Sequence, residues 1–329
     1  MLSNDQLAIL RRMSGIFLPY AKGKADERYP DKSAPARFVH YTTAESAIKI
    51  IETKRIWMRN TVCMADYREV QHGHDLLLRL FGKDTAHQKQ FIACLDECSP
   101  GVALEAISLF DRNWEATRSN TFIACLSEHQ DNEDWHGRLS MWRAFGANPT
   151  RVALIIGIPW YSGASETLRL VFSPVAYFTE QQVADNLAAV VRNIRSDTAF
   201  LRTVDRNILF ATVYSMLIAA ATCLKHDGFR EEKEWRAIYS PVAIGASPLI
   251  EQSIEVIGGV PQRVQKIPLD AEKSSDVAGL DFATIFDRLI IGPSQFPLPM
   301  YDAFVEKLTK AGVSDAGKRV VASSIPIRT

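Results

Sequence analysis

Short segments of β-strand character recur along the chain from residue 37 to about residue 327, and helical segments separate them. The strand segments are "RFVHYTT", "RIWMRN", "TFIACLS", "RVALIIGIP", "LRLVFSPVAYF", "EWRAIYSP", "QRVQKIPL", "FDRLIIGPS" and "RVVASSIPI". Strand segments therefore lie near both ends of this region and in its middle, with helical segments between them. The pattern predicts one α+β domain with a central sheet and helical insertions.

We expect this domain to cover residues 37–329, after an N-terminal helix and a linker in residues 1–36. Apolar residues at helical spacing predict the helix, and charge and proline in "AKGKADERYPDKSAPA" predict the linker. Helical insertions are expected at about residues 66–118 and 179–226.

Charge and cysteine content limit the environments that suit the chain. Lys plus Arg equals Asp plus Glu at 38 each, so no global field attracts nucleic acid or an anionic membrane. The five cysteines form no CxxC pair, and the N-terminal residues lack the apolar stretch of a secretory signal, so a cytoplasmic location is expected.

One uncharged stretch, "ILFATVYSMLIAAATCL" at residues 208–224, approaches the length of a membrane span. It is slightly too short and contains threonine and serine. We therefore expect a buried core helix here and not a membrane segment.

The strand "RFVHYTT", residues 37–43, carries several polar side chains. Period-two alternation places His40 and Thr42 on one face of the strand and Tyr41 on the other. A histidine at a sheet edge with its hydrogen bonds satisfied and one wall of a ligand site both fit this strand on its own.

The segment "FREEKEWRAIY", residues 229–239, is the second candidate. If it is one continuous strand, Glu232, Glu234 and Arg236 share one face. Two carboxylates on one face repel each other, and they stay ionised together only with solvent, a cation or a substrate hydroxyl nearby. The alternative is an edge strand with ordinary surface charges.

The strand "TFIACLS" and the short helix "LSMWRAFG" form the third candidate. Ser127 ends the apolar strand, and Trp142 lies on the helix. An aromatic residue near a strand end can cover a planar ligand ring, although Trp142 also suits a protein core.

Other known motifs give weaker signals. His72 and His74 lie two residues apart in a helical segment, so they face different directions, and no metal site is expected there. The chain has no GxGxxG after a strand, no GxxxxGK[ST] and no GxSxG, so neither a Rossmann or P-loop nucleotide site nor a hydrolase elbow is indicated.

Four segments, taken together, resemble a bacterial family over most of the chain. These are "HYTTAESAIKIIETKRIW", "ACLSE…W…SMWRAFG", "CLKHDGFREEKEWR" and "VVASSIPIR", in that order, and the family begins with an HYT strand and carries K-H…F…E-x-E-W-R. The first segment is also similar to the start of the DNA-targeting ADP-ribosyltransferase toxins. The triplet Glu232-Lys233-Glu234 is similar to the E-x-E motif of many ADP-ribosyltransferases.

This resemblance implies an ADP-ribosyltransferase-like split mixed β-sheet that binds NAD as substrate without a Rossmann glycine loop and without a metal. Glu234 would stabilise the oxocarbenium-like state at the nicotinamide ribose. Glu232 would polarise or deprotonate the acceptor.

The remaining candidates would bind NAD. His40 and Thr42 would hydrogen-bond the adenosine ribose or a phosphate, and Ser127 would position the nicotinamide ribose and the catalytic carboxylate. Trp142 would cover a ring of the ligand. Tyr41 points to the other strand face, so a stacking role for it requires a twist at the strand end.

The expected function is an NAD-dependent ADP-ribosyltransferase, a bacterial toxin or phage-defence effector that modifies RNA or DNA and has an antitoxin protein as partner. Three alternatives use the same fold: a protein-targeting ADP-ribosyltransferase, an NAD glycohydrolase, and a non-catalytic binding or regulatory module.

Overall fold

The computed structural model describes residues 4–64, 68–144, 150–160, 164–270, 277 and 279–326. Within these ranges the protein is a mixed α+β structure with one large, mostly antiparallel sheet and helices packed against it. The predicted α+β class is confirmed.

Ten strands of the described residues form the sheet. They are β1 (Ala36–Thr43), β2 (Arg55–Asn60), β3 (Phe122–Glu128), β4 (Arg151–Ile158), β5 (Val171–Pro174), β6 (Glu234–Tyr239), β7 (Glu251–Ile257), β8 (Val260–Pro268), β9 (Phe286–Ile291) and β10 (Val320–Ala322). Their order is β10-β9-β4-β1-β3-β2-β8-β7, and β6 pairs with β3 and β5. The β9–β10 pair is parallel, and the other strand pairs are antiparallel.

The sequence pattern predicts nine of these strands and misses β7. This strand lies at the edge of the sheet and exposes Ile254 and Val256 to solvent. An edge strand with exposed apolar residues lacks the buried face that produces the usual alternation.

The longer helices are α1 (Asn4–Phe17), α2 (Pro19–Arg28), α3 (Ala44–Thr53), α4 (Arg68–Phe81), α5 (Ala86–Asp96), α6 (Val102–Ser119), α9 (Glu180–Ser196), α11 (Arg206–Cys223) and α14 (Pro297–Lys310). The short ones are α7 (Leu139–Ala144), α8 (Ala164–Thr167), α10 (Thr198–Leu201), α12 (Pro241–Ile244), α13 (Phe282–Ile285) and α15 (Ala316–Arg319). Both predicted helical insertions are therefore present, as α4–α6 and α9–α11.

The predicted linker is wrong over its first half, because Pro19–Arg28 form α2. Pro19 occupies the first turn, where its missing N–H leaves no hydrogen bond unmade. Lys22 and Asp26 form an ion pair one helical turn apart, and Ala25 is buried. These local interactions outweigh the charged residues, and the prolines of the segment lie after the helix end at Arg28.

Strands β1 and β2 form where the sequence predicts them, and helix α3 joins them. The Thr43 hydroxyl accepts a hydrogen bond from the Ser46 backbone N–H at 3.0 Å, which caps α3. Lys54 then takes a left-handed conformation with φ of 50°, which ends the helix and starts β2. The buried residues Ile50 and Ile51 of α3 pack against the sheet in its main core.

A second core lies entirely among helices. It joins α1, α4, α5, α6, α9 and α11, and Met13 and Phe17 of the N-terminal helix are part of it.

Helix α11 is the one described helix that is long and apolar enough to cross a membrane, and 56% of its apolar window is buried inside the protein. That burial is typical of the core helix of a soluble protein, as the sequence predicts.

Candidate active site

Strand β3 changes its neighbour partway along one edge. Phe122 and Ile123 pair with β2, whereas Ser127 and Glu128 pair with β1. On its other edge β3 pairs with β6 from Phe122 to Ser127. Strands β1 and β2 therefore diverge beside the middle of β3, and a gap opens in the ladder there.

His40 reaches into this gap. Its Nδ1 lies 2.9 Å from the carbonyl oxygen of Cys125, in the middle of β3. Since a carbonyl oxygen only accepts, Nδ1 carries the proton and Nε2 is left as an acceptor. Burial lowers the pKa of His40 and this hydrogen bond only partly opposes it, so the imidazole is neutral at physiological pH.

Glu234 opens β6 directly opposite Ser127 of β3. Its Oε1 accepts from Arg236 Nε at 2.7 Å, and its Oε2 accepts from Arg236 Nη2 at 3.1 Å and from Lys225 Nζ at 3.3 Å. The Glu234 backbone N–H donates to the Tyr177 hydroxyl at 2.9 Å. Glu234 is only 5% exposed, so its carboxylate depends on these protein partners.

The pKa of Glu234 reflects a competition between burial and charge. Burial alone would raise it, but the Arg236 guanidinium and then the Lys225 ammonium outweigh burial and hold the pKa at about 2. The Cys125 thiol also hydrogen-bonds the carboxylate. Glu234 is therefore ionised at physiological pH.

Glu232 is not part of the strand, contrary to the sequence prediction. It ends a 3₁₀ turn at Asp227–Glu232, and Lys233 follows in a left-handed conformation with φ of 46°. That residue interrupts the extended backbone, so alternation cannot be extrapolated from β6 back to Glu232.

The two carboxylates still meet, because Lys225 joins them. Lys225 Nζ lies 2.7 Å from Glu232 Oε2, in addition to its contact with Glu234. The Lys225 side chain is buried, whereas that of Glu232 keeps 26% of its surface exposed. We call Lys225, Glu232, Glu234 and Arg236 the charge cluster; it has one enclosed carboxylate and one that solvent can reach.

Arg138 fixes the 3₁₀ turn against the strand ends. Its Nη1 donates to the carbonyls of Glu231 and Glu232 at 2.9 and 3.0 Å, and its Nη2 donates to the carbonyl of Glu128 at 2.8 Å. The Arg138 backbone N–H donates to the Tyr41 hydroxyl at 2.9 Å. One residue thus holds Glu232 in position relative to β1 and β3.

The strand register places Glu234 and His40 on opposite faces of the sheet. Val39 lies opposite Ser127, and Ser127 lies opposite Glu234, so these three share a face. His40 and Thr42 share the other face, as strand alternation predicts for this pair. Cys125 nevertheless connects His40 to Glu234, because its carbonyl accepts from one and its thiol contacts the other.

The remaining predicted site residues have different surroundings. Ser127 is buried between Val39 and Glu234 in the register. Tyr41 packs edge-on against Trp142, with ring centroids 4.9 Å apart. Trp142 is 4% exposed and donates to the His136 carbonyl at 2.7 Å, which favours the core interpretation over a role in covering a ligand. Thr42 is half-buried on the His40 face.

Sequence reasoning assigned no role to Lys225, Tyr177, Cys125 or Arg138. Lys225 is the lysine of the "CLKHDGF" segment. The sequence alone does not indicate that its ammonium contacts both carboxylates. Arg138 lies about a hundred residues away from the turn that it holds. Such contacts appear only after the strands are paired.

No group of three or more His, Cys, Asp or Glu side chains that could hold a metal ion occurs in the described part of the chain. The His74 ring stacks on Trp114, with ring centroids 4.0 Å apart. The His72 ring lies elsewhere, 6.2 Å from the ring of His226.

Comparison of the chain with protein-family models, with curated proteins and with solved structures finds no match.

Removal of Arg236 should destabilise the protein strongly. Arg236→Met leaves the Glu234 charge buried with less compensation, and the expected loss is about 3–5 kcal/mol in the free energy of unfolding. The exposed Arg230→Met should change that free energy by less than about 0.5 kcal/mol. Urea unfolding followed by circular dichroism measures both.

The double variant Arg236→Met/Glu234→Gln separates charge from packing. Because it removes the uncompensated carboxylate, it should be more stable than Arg236→Met alone. Equal losses in the single and double variants would contradict the account of the charge cluster.

The depressed pKa of Glu234 also predicts how stability depends on pH. Its folded value of about 2 lies below the ordinary 4.5 of an unfolded glutamate. Glu234 therefore stabilises the folded state above the unfolded value, and this contribution is lost as the pH falls toward the folded value. Between about pH 5 and pH 2, wild type should lose more stability than Glu234→Gln. The exposed Glu231→Gln should follow wild type, and parallel pH curves for wild type and Glu234→Gln would refute the assignment.

Proposed function

We propose that the protein is an NAD-dependent ADP-ribosyltransferase. One observation carries the proposal: two carboxylates, Glu232 and Glu234, meet on the Lys225 ammonium beside the gap in the strand ladder that His40 occupies. In an ADP-ribosyltransferase-like split sheet, this gap between β1 and β2 would be the NAD cleft. The E-x-E spacing and the position of His40 on the first strand both support this reading.

The reaction would break the bond between the nicotinamide nitrogen and C1′ of its ribose. The bonding electrons leave with nicotinamide, which departs neutral, and the ribose passes through an oxocarbenium-like state. An ionised carboxylate stabilises that positive charge, and Glu234 stays ionised at any physiological pH. Glu232, the more accessible carboxylate, would take the proton of the acceptor nucleophile as the new bond to C1′ forms.

Other residues would position NAD. The Nε2 atom of His40 is an acceptor in the tautomer given by the Cys125 contact, so it suits a hydroxyl of the adenosine ribose. Thr42 follows on the same strand face and would bind a neighbouring hydroxyl or phosphate. Ser127, next to Glu234 in the register, would orient the nicotinamide ribose. The proposed chemistry involves no metal.

The acceptor in this proposal is nucleic acid, RNA or DNA. The 3₁₀ turn beside Glu232 exposes Phe229 at 40%, and His226 and Arg230 on the same turn are exposed as well. An exposed aromatic ring next to an arginine suits stacking on an unpaired base beside a phosphate. The biological setting would be a cytoplasmic toxin or phage-defence effector with an antitoxin partner, and it rests on the resemblance alone.

The ion pairs of Glu234 favour a second candidate function, a non-catalytic binding or regulatory module. Both of its carboxylate oxygens accept from Arg236 or Lys225, so NAD must displace Lys225 before the carboxylate can touch the ribose. A binding or regulatory module that keeps this cluster for stability would need no such rearrangement. An NAD glycohydrolase or a protein-targeting transferase would use the same residues as the main proposal.

The experiment incubates wild type with NAD labelled in the adenosine, together with RNA, single-stranded DNA or lysate protein. Nicotinamide release and a labelled nucleic acid are expected. Glu234→Gln should slow release by roughly 10²–10³-fold because the charge at the oxocarbenium is lost. Glu232→Gln should slow transfer by roughly 10²-fold or more.

Glu231→Gln is the matched control, since Glu231 is exposed on the same turn and should leave the rate unchanged. Free ADP-ribose without a labelled macromolecule would favour the glycohydrolase, and labelled protein would favour the protein-targeting transferase. NAD that binds and stays intact would favour the module. Nicotinamide release unaffected by Glu234→Gln would exclude the proposed role of that residue.

A further inference from the structure

A large cavity lies on the face of the sheet opposite the charge cluster. Its volume is about 740 Å³, which is within the range of pockets that hold small organic ligands. Trp235 and Ala237 line it from β6, on the face opposite Glu234 and Arg236. Helices α1, α2 and α11 supply the facing wall.

The lining of the cavity is mainly apolar. Ile56, Leu126, Ile156, Phe172, Trp235 and Ile267 come from the sheet. Leu10, Met13 and Ile208 come from the helices, and Leu18 lies between α1 and α2. Such a surface favours a ligand that transfers hydrocarbon out of water.

The charged lining residues mark where the cavity opens. They are Arg11, Lys22, Glu166 and Arg169, and all four are exposed or half-exposed. Lys22 is paired with Asp26, so the two arginines against Glu166 give the rim its net positive charge. Arg169 donates to the Ile244 carbonyl at 3.1 Å through Nη1 alone, which leaves Nη2 of this exposed guanidinium for an anion.

One polar group of the lining supports a ligand with a polar end. The indole N–H of Trp160 is buried and makes no hydrogen bond to any described residue, although Trp160 borders the cavity. A buried donor without a partner costs free energy, and a ligand oxygen would satisfy it.

We propose that this cavity binds a single-chain anionic amphiphile, such as a free fatty acid, with its hydrocarbon tail against the apolar lining and its carboxylate at the cationic rim. The volume and the apolar lining specify the tail, and the excess of arginine at the opening specifies the charge of the head group. The site is separate from the proposed catalytic residues, so loss of NAD turnover in a Glu234 variant would leave it intact.

Calorimetric titration of the full chain with dodecanoate and with dodecanol tests this site. Wild type should bind one dodecanoate, and the fluorescence of Trp160 and Trp235 should change with the same midpoint. Ala211→Trp places an indole at a lining position on α11, and Ser215→Phe fills the cavity from the next turn. Each should weaken dodecanoate binding at least tenfold, by roughly 1.4 kcal/mol or more.

Charge reversal at the rim tests the head group. Arg169→Glu should weaken dodecanoate binding about tenfold and leave dodecanol binding unchanged. The control Arg192→Glu reverses an exposed arginine of α9 that does not line the cavity and should behave as wild type.

Four results would count against the proposal. The first is no binding of dodecanoate by wild type, and the second is full affinity in both filling variants when circular dichroism shows them folded. The third is co-sedimentation with phosphatidylglycerol vesicles without any binding of free dodecanoate, which would assign the cationic rim to a membrane surface. Equal effects of Arg169→Glu on dodecanoate and dodecanol would refute the anionic head group.

Discussion

The ion pair between Arg236 and Glu234 holds together the elements that meet at the candidate site. Arg236 is fully buried, and it donates both to Glu234 and to the Thr222 carbonyl near the end of α11. Lys225, three residues further along, extends the network to Glu232. A buried charge is tolerated only with partners in place, and these contacts tie the end of α11 and the 3₁₀ turn to the start of β6. The Lys225 and Arg236 cations offset the repulsion between the two carboxylates.

The position of this cluster in the sheet gives it functional interest. Strands β1 and β2 both use the same edge of β3 and diverge between their contacts, and His40 occupies the resulting gap. Cys125 connects the two sides, since its carbonyl accepts from His40 and its thiol contacts Glu234. A neutral imidazole with an available acceptor nitrogen is therefore linked through Cys125 to an enclosed carboxylate, which Lys225 joins to an accessible one. That combination suits hydroxyl recognition and stabilisation of a cationic sugar, the two requirements of cleaving NAD.

Periodicity predicts most elements of the fold, because it reports on burial within a few residues. The segments "RFVHYTT" and "RIWMRN" are clear cases, since they form β1 and β2. The errors arise where the deciding contact is distant or the backbone departs from regular geometry. Lys233, with its positive φ, breaks the alternation that had placed Glu232 in a strand. Glu234 shares a face with Val39 because of the strand register. Lys225 contacts both carboxylates because of tertiary packing. The alternation within one strand specifies neither the register nor the packing.

The central claim is that NAD binds across the gap between β1 and β2 with its nicotinamide ribose at Glu234 and its adenosine ribose at His40. The most direct measurement is a crystal structure of the Glu234→Gln variant grown with NAD, in which slow turnover preserves the ligand. The account predicts the nicotinamide ribose within hydrogen-bonding distance of residue 234, Lys225 moved off that side chain, and a hydroxyl of the adenosine ribose on His40 Nε2. NAD bound elsewhere on the protein, with Lys225 still held between residues 232 and 234, would contradict it.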